Sequence, residues 1–149
     1  MKTLQVGDSV PNFSVLDQSG KPFILSDYQN TKLIVFFYPK ANTPGCTTEA
    51  CNLRDHYSEL KVQGFDIVGV SADDQKKQAS FKDKYQFPFP LLADTEKVVL
   101  EAFGVWGPKK FMGKEYDGIH RMTFVIENGR VIKVINKVQT KDHAAQILE

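Results

Sequence analysis

Hydrophobic residues fall along the chain in short runs separated by polar, helix-compatible stretches. The run 33–38, Leu-Ile-Val-Phe-Phe-Tyr, is continuous and rich in β-branched and aromatic residues, which is typical of a strand buried on both faces. The segment 65–70 has a similar composition. Between the two runs, apolar residues recur at helical spacing, at Ala50, Leu53, Tyr57 and Leu60. The pattern therefore predicts a strand–helix–strand unit with two parallel strands.

Three further segments favour helices. Residues 73–85 are polar and helix-compatible, and residues 95–103 carry a second helical pattern after the short apolar piece 91–93. A last helix, over 141–148, is expected to close the chain. We therefore expect helices to cover both faces of a central sheet.

Two hairpins complete the predicted sheet. Segments 122–126 and 131–135 flank Asn128-Gly129, a pair that accepts the positive φ values of a type I′ turn. Segments 13–16 and 23–25 predict a smaller hairpin at the N-terminus. Parallel strands followed by an antiparallel hairpin, with flanking helices, predict an α/β protein with a mixed central sheet that resembles the thioredoxin-like fold.

Composition and charge narrow the class of protein. The 149 residues, 42% hydrophobic and 25% charged, fit one globular domain spanning 1–149. Nineteen Lys plus Arg nearly balance 18 Asp plus Glu, which argues against a nucleic-acid or acidic-membrane partner and favours a small or uncharged substrate. Neither a signal-peptide-like run nor a stretch of about 20 apolar residues occurs, so we expect a cytoplasmic protein.

The chain contains two cysteines, Cys46 and Cys51. In a reducing cytosol such a pair is more often catalytic, metal-binding or inert than a permanent bridge. Thr43 suits the N-cap of the predicted helix and Pro44 its first position, which puts Cys46 in the first turn. There the helix dipole and free N–H groups favour the thiolate, and those groups with the Thr43 hydroxyl form a possible peroxide site. A small buried thiol that only packs remains the alternative.

The spacing of the two cysteines assigns them different environments. Residues five apart on a helix are rotated by roughly 140° and lie about 8.6 Å apart between Cα atoms. Because disulfides need at most roughly 6.8 Å, Cys46 and Cys51 cannot bridge while the helix is intact. Cys46 lines up with the apolar stripe and is expected to face a pocket, whereas Cys51 lies on its flank and is expected to be more accessible.

The motif Pro39-x-x-x-Thr43-x-x-Cys46 resembles the active-site signature of peroxiredoxins. A second cysteine five residues later, at Cys51, is similar to the bacterioferritin comigratory protein class of that family. The likeness extends to the strand at 32–38 and, in the second half of the chain, to the segments 104–107 and 118–121.

The resemblance implies a role for each matching residue. Cys46 would be the peroxidatic cysteine and Cys51 the resolving one, joined in an intramolecular disulfide. Thr43 would hydrogen-bond the peroxide, Pro39 would shield the site from water, and Arg121 would stabilise thiolate and peroxide. The implied function is a thioredoxin-dependent peroxidase, a monomer without metal or other cofactor, that reduces hydrogen peroxide and organic hydroperoxides and is regenerated by thioredoxin or a similar dithiol.

Three other functions would fit parts of this sequence. A thiol–disulfide oxidoreductase relies on Cys-x-x-Cys, which is absent. A metal-binding module would use His56 with the two cysteines, but structural zinc normally takes four ligands at tight spacing. A non-catalytic binding module of the same fold is disfavoured by the intact signature.

Other polar and aromatic residues near these motifs receive weaker assignments. Glu49 either orients Arg121 or decorates the early helix, where acidic residues suit the dipole, and we favour the second. Trp106 is expected to pack, with its position relative to the active-site pocket left open. No role is assigned to the histidines, which are isolated in sequence: His56, His120 and His143.

Overall fold

The computed structural model describes all residues, 1–149, as an α/β structure. Its strands are β1 (Ser14–Leu16), β2 (Pro22–Ile24), β3 (Lys32–Phe37), β4 (Phe65–Ser71), β5 (Leu91–Ala93), β6 (Trp106–Phe111), β7 (Lys114–Ile119), β8 (Met122–Glu127) and β9 (Arg130–Ile135). Its helices are α1 (Pro44–Asp55), α2 (Tyr57–Val62), α3 (Gln75–Tyr85), α4 (Val98–Phe103) and α5 (His143–Leu148), with a short 3-10 helix at Leu25–Tyr28. None of the helices is long and apolar enough to span a membrane.

The central sheet has five strands in the order β5-β4-β3-β8-β9. β3, β4 and β5 are parallel, whereas β8 pairs antiparallel with both β3 and β9. The predicted mixed sheet is therefore confirmed, with β3 at its centre. The carboxyl end of β3 leads directly to the segment that carries the signature motif.

Alternation along β3 divides the core between the two faces of the sheet, because successive strand side chains point to opposite sides. One buried cluster contains Leu33, Val35 and Phe37 together with α4 residues. The other contains Ile34, Phe36 and Tyr38 together with the apolar stripe of α1 and residues of α5. Cys46 belongs to this second cluster, so the α1–α5 side of the sheet carries the site.

Both predicted hairpins are present. β8 and β9 are joined by Asn128 and Gly129, whose φ angles of 51° and 72° are the positive values expected for a type I′ turn. β1 and β2 pair antiparallel within a residue of the predicted bounds.

All four predicted helices differ in their bounds, and α3 begins at Gln75 rather than at 73. The helix through Ala50 and Leu60 is interrupted at His56, which separates α1 from α2. α4 begins at Val98 rather than at 95, because the Asp94 carboxylate accepts hydrogen bonds from the backbone N–H groups of Val98 at 2.9 Å and Leu100 at 2.8 Å. α5 begins at His143 rather than at 141.

The hairpin of β6 and β7 was not predicted. Its turn places Met112 and Gly113 at φ angles of 52° and 80°, and a methionine at positive φ is not a recognisable turn signal. Most side chains of the two strands are exposed, so the apolar alternation that identifies a half-buried strand is missing as well.

Candidate active site

Cys46 lies in the first turn of α1 with 1% of its surface exposed. It packs in the same cluster as Ala50 and Leu53, as the helical spacing predicted. Cys51 is half-buried on the flank of the helix, and both thiols are free. The predicted difference in accessibility between the two thiols is confirmed.

Thr43 is the N-cap residue of α1 by position, with extended backbone angles, but its side chain does not cap the helix. The hydroxyl instead donates to the backbone oxygen of Lys40 at 2.8 Å. The predicted capping bond is therefore wrong: the hydroxyl donates to Lys40, and its oxygen accepts no backbone N–H of the first helical turn. The Thr43 oxygen keeps its own lone pairs available to a donor.

The start of α1 leaves backbone donors free beside the Cys46 thiol. The N–H groups of Gly45 and Cys46 have no partner in the chain, because Thr47 makes the first helical hydrogen bond, to the oxygen of Thr43 at 2.8 Å. Together with the positive end of the helix dipole they form a small site suited to an anion or a polarised oxygen.

Arg121 reaches this site from the connection between β7 and β8. One terminal nitrogen donates to Cys46 Sγ at 3.2 Å, and the other donates to Glu49 Oε1 at 2.6 Å. Only 24% of the Arg121 side chain is exposed, so the guanidinium is a partly desolvated charge held against the thiol. A Cβ added at Gly45 would lie 3.3 Å from the same guanidinium, so a glycine there leaves it room.

Glu49 is fully buried, so the expectation that it lies on an exposed part of the helix start is wrong. Burial raises the pKa of Glu49 to about 7, although the neighbouring Arg121 opposes the shift. The sequence held a signal for this position. Glu49 follows Cys46 by three residues and precedes Leu53 by four, which places it on the buried stripe of the helix.

His143, for which no role was predicted, is buried beside Glu49 at the start of α5. Its Nε2 lies 2.7 Å from Thr123 Oγ1 and 3.4 Å from Glu49 Oε2. Its Nδ1 lies 2.9 Å from Gln146 Oε1. Burial lowers the pKa of His143, with the Gln146 hydrogen bond opposing the shift. Nothing in the local sequence distinguishes this histidine from His56 and His120.

Pro39, half-buried, lines a surface groove of about 390 Å³. Trp106, Lys109 and Tyr116 line the same groove, and Cys46 is not among its lining residues. Burial lowers the pKa of Lys109, nearby Arg121 adds to this shift, and Cys46 opposes it. The largest cavity, about 550 Å³, lies elsewhere, between β1 and the start of α3, and does not include Cys46.

Cys51 opens onto a different groove, which it shares with Asn52 and Lys141. Burial raises the pKa of the Cys51 thiol, while Arg54 opposes and Asp55 adds to the shift. His56, the suggested third metal ligand, is exposed, with Nδ1 2.9 Å from the backbone oxygen of Asn52 in α1. No three His, Cys, Asp or Glu side chains are grouped so that they could hold a metal ion.

Comparison with known proteins places the chain in a family. The AhpC/TSA family model matches residues 6–135. Peroxiredoxin Bcp of Escherichia coli K12 is 46% identical over 149 residues, covering 99% of this chain and 96% of the relative. A mutant of PrxQ from Xylella fastidiosa superposes with a TM-score of 0.92 at 31% identity, over 99% of this chain and 95% of that one. The bacterioferritin comigratory protein of Xanthomonas campestris gives a TM-score of 0.86 at 34% identity, over 91% and 87% of the two chains.

The chain belongs to the AhpC/TSA family, and within it to the peroxiredoxins of the Bcp and PrxQ type. Its fold is the thioredoxin-like fold predicted from the pattern of strands and helices. The protein is accordingly a thiol peroxidase, an oxidoreductase.

Proposed function

We propose that this peroxidase reduces hydrogen peroxide and small organic hydroperoxides through Cys46. The observation that carries the proposal is the convergence of the Arg121 guanidinium, 3.2 Å from Cys46 Sγ, with two unpaired backbone N–H groups at the start of α1. Support for organic substrates comes from the Xanthomonas campestris relative, described as having alkyl peroxide reduction activity.

In the first step the Cys46 thiolate attacks one peroxide oxygen, the O–O bond breaks, and the other oxygen leaves as water or an alcohol after taking a proton. Sulfur is oxidised to sulfenic acid and the peroxide is reduced by two electrons. Arg121 stabilises the thiolate, while the free N–H groups of Gly45 and Cys46 stabilise charge on the leaving oxygen. The Thr43 oxygen accepts a hydrogen bond from the peroxide, and Pro39 limits access of water.

In the second step the Cys51 thiolate attacks the sulfur of the sulfenic acid, the S–S bond forms as the S–O bond breaks, and the oxygen leaves as water after taking a proton. The two residues belong to one intact helix, so α1 unwinds before they meet. Because burial raises the pKa of Cys51 in the folded helix, unwinding also frees its thiol to ionise. A dithiol such as thioredoxin then reduces the disulfide. We place this cycle in a cytoplasmic monomer, one domain over 1–149, that needs neither metal nor other cofactor.

The assignment is tested by thiol titration before and after one equivalent of peroxide. The wild-type protein is expected to lose both thiols and to gain an intramolecular disulfide. C46S is expected to consume no peroxide, whereas C51S is expected to form sulfenic acid at Cys46, trapped with a dimedone-type reagent, but no intramolecular disulfide.

Two outcomes would contradict the assignment. If both thiols of the wild-type protein remain titratable, Cys46 is not oxidised by peroxide. If C46S and C51S lose the first chemical step equally, the division of roles between the two cysteines is wrong.

A further inference from the structure

Glu49 Oε2 is the only buried side-chain nitrogen or oxygen in the structure that lacks a hydrogen-bond partner. The other oxygen of the same carboxyl group accepts from Arg121 at 2.6 Å. An ionised carboxylate oxygen, buried and without a donor, is strongly unfavourable. The nearest candidate to relieve it is His143 Nε2, 3.4 Å away and likewise fully buried.

The hydrogen on the His143 ring can be located from its neighbours. The Gln146 side-chain oxygen accepts from the backbone N–H of Gln139, and its nitrogen donates to the backbone oxygen of Lys137, both at 2.9 Å. These backbone partners fix the amide orientation, so His143 Nδ1, facing Gln146 Oε1, carries a hydrogen and donates. In a neutral ring Nε2 is therefore the bare nitrogen, and it faces Glu49.

A bare Nε2 facing an ionised Oε2 would place two lone pairs against each other in a dry site. One added proton removes the conflict on either side of the gap. Thr123 Oγ1, 2.7 Å from Nε2, suits both arrangements, because a hydroxyl donates to a bare nitrogen and accepts from a protonated one.

We propose that Glu49 and His143 together hold one proton in the reduced enzyme at neutral pH, and that His143 is thereby a positioning residue for Cys46. With that proton the pair is neutral overall, and the positive charge of Arg121 remains available to the thiolate 3.2 Å away. When the proton is lost, the pair carries a negative charge that competes with the thiolate for Arg121.

Three further charged or titratable groups lie around the pair or around Arg121. α1 contributes Cys46, the β7–β8 connection contributes Arg121, and β6 contributes Lys109, whose pKa responds to both Arg121 and Cys46. Burial raises the pKa of Glu49 and lowers that of His143, which agrees with a proton that favours the carboxyl side. The shared proton itself does not depend on the proposed function. Its importance for Cys46 rests on the proposal that this thiol reacts with peroxide.

The experiment uses reduced protein in a C51S background, labelled with ¹³C and ¹⁵N, and follows two signals across pH. NMR reports the ionisation of the Glu49 carboxyl and the His143 ring nitrogens, with ring signals assigned by H143L. Iodoacetamide alkylation reports the reactivity of Cys46. We expect a protonated Nδ1, one proton on the pair at neutral pH, and a second inflection in the alkylation profile at the pH where the pair loses that proton.

Variants separate a charge effect from a structural one. E49Q keeps an oxygen for Arg121 but has no proton to lose, so the second inflection should disappear. H143L should move it to higher pH, because the ionised carboxylate would then face hydrocarbon. H56Q, at an exposed histidine, should leave it unchanged.

A neutral His143 beside an ionised Glu49 at neutral pH would overturn the proposal, as would an inflection that persists in E49Q or does not move in H143L. The wild-type NMR result stands even if a variant fails to fold. Neither the NMR nor the alkylation measurement requires peroxide. A negative result would therefore not contradict the peroxidase assignment, and an absence of peroxidase activity would not contradict the shared proton.

Discussion

Arg121 links Cys46 to Glu49 and, through Glu49, to His143. The pKa values of these two buried side chains are shifted in opposite directions. Burial raises the pKa of Glu49 from 4.5 to about 7 and lowers that of His143 below 6.5. In the unfolded chain, at a pH between 4.5 and 6.5, the histidine holds a proton and the glutamate does not. In the folded chain the pair still holds one, so folding moves a proton between residues without changing the count.

This proton transfer predicts that the stability of a variant without His143 and that of a variant without Glu49 depend on pH in opposite directions. Without His143, the folded state binds a proton on Glu49 that the unfolded state lacks, so stability falls as pH rises from about 4.5 to at least about 7. The loss for a shift of that size is about 3 kcal/mol. Without Glu49, only the lowered pKa of His143 remains, so stability is lost as pH falls below 6.5.

Urea unfolding of H143L, E49Q and the wild-type protein across this pH range provides the measurement. Relative to the wild-type protein, H143L should lose stability towards neutral pH and E49Q towards acidic pH. If the free energy of unfolding changed with pH in the same direction in both variants, the opposite pKa shifts assigned to Glu49 and His143 would be wrong.

Among the secondary-structure elements, α1 contacts α5 through a second polar residue besides Glu49. Asn52 donates from Nδ2 to the oxygen of Lys141 and accepts at Oδ1 from the N–H of Ala144, both at 2.8 Å. Asn52 is adjacent to Cys51, so unwinding α1 to form the disulfide breaks both bonds. The two hydrogen bonds therefore oppose the second step of the proposed cycle.

We predict that N52A closes the Cys46–Cys51 disulfide faster than the wild-type protein, because less structure must be broken. Its free energy of unfolding should fall by about 1–3 kcal/mol. Rapid acid quenching followed by mass analysis gives the closure rate. N12A is the matched control, since Asn12 also accepts a backbone hydrogen bond, from Ser26, but far from α1. Equal acceleration in N12A would indicate general loosening instead.

For the whole molecule, the two cores define how far local unwinding can spread. α1 and α5 cover the sheet face that contains Ile34 and Phe36, while α4 covers the opposite face. β3 bonds to β4 and β8 along its length, independently of α1. Loss of α1 therefore removes cover from one face without breaking the sheet.

Hydrogen exchange should record this limit. In the oxidised protein, amides from Thr43 to Leu53 and in α5 are expected to exchange faster than in the reduced protein, while those of β3 and β8 keep their protection. Reduced C51S treated with peroxide is the control, because it oxidises without closing a disulfide. Unchanged protection over Thr43–Leu53 in the oxidised protein would contradict the requirement for unwinding.

The local sequence pattern was sufficient to predict much of the fold and the part of the site that lies on α1. The sheet, the Asn128-Gly129 turn and the unequal environments of Cys46 and Cys51 depend on periodicity and turn chemistry among near neighbours. The β6–β7 hairpin escaped prediction because its exposed strands lack apolar alternation. The motif likeness pointed to Arg121, but residue patterns alone did not.

The sequence by itself determined that a thiol stands at a helix start after a buried strand, because a few adjacent residues specify that arrangement. Only the tertiary structure decided what surrounds the thiol. Arg121 is 75 residues from Cys46 and 72 from Glu49 along the chain. His143 lies further on still, so the order of strands in the sheet, which no local pattern encodes, brings these charges together.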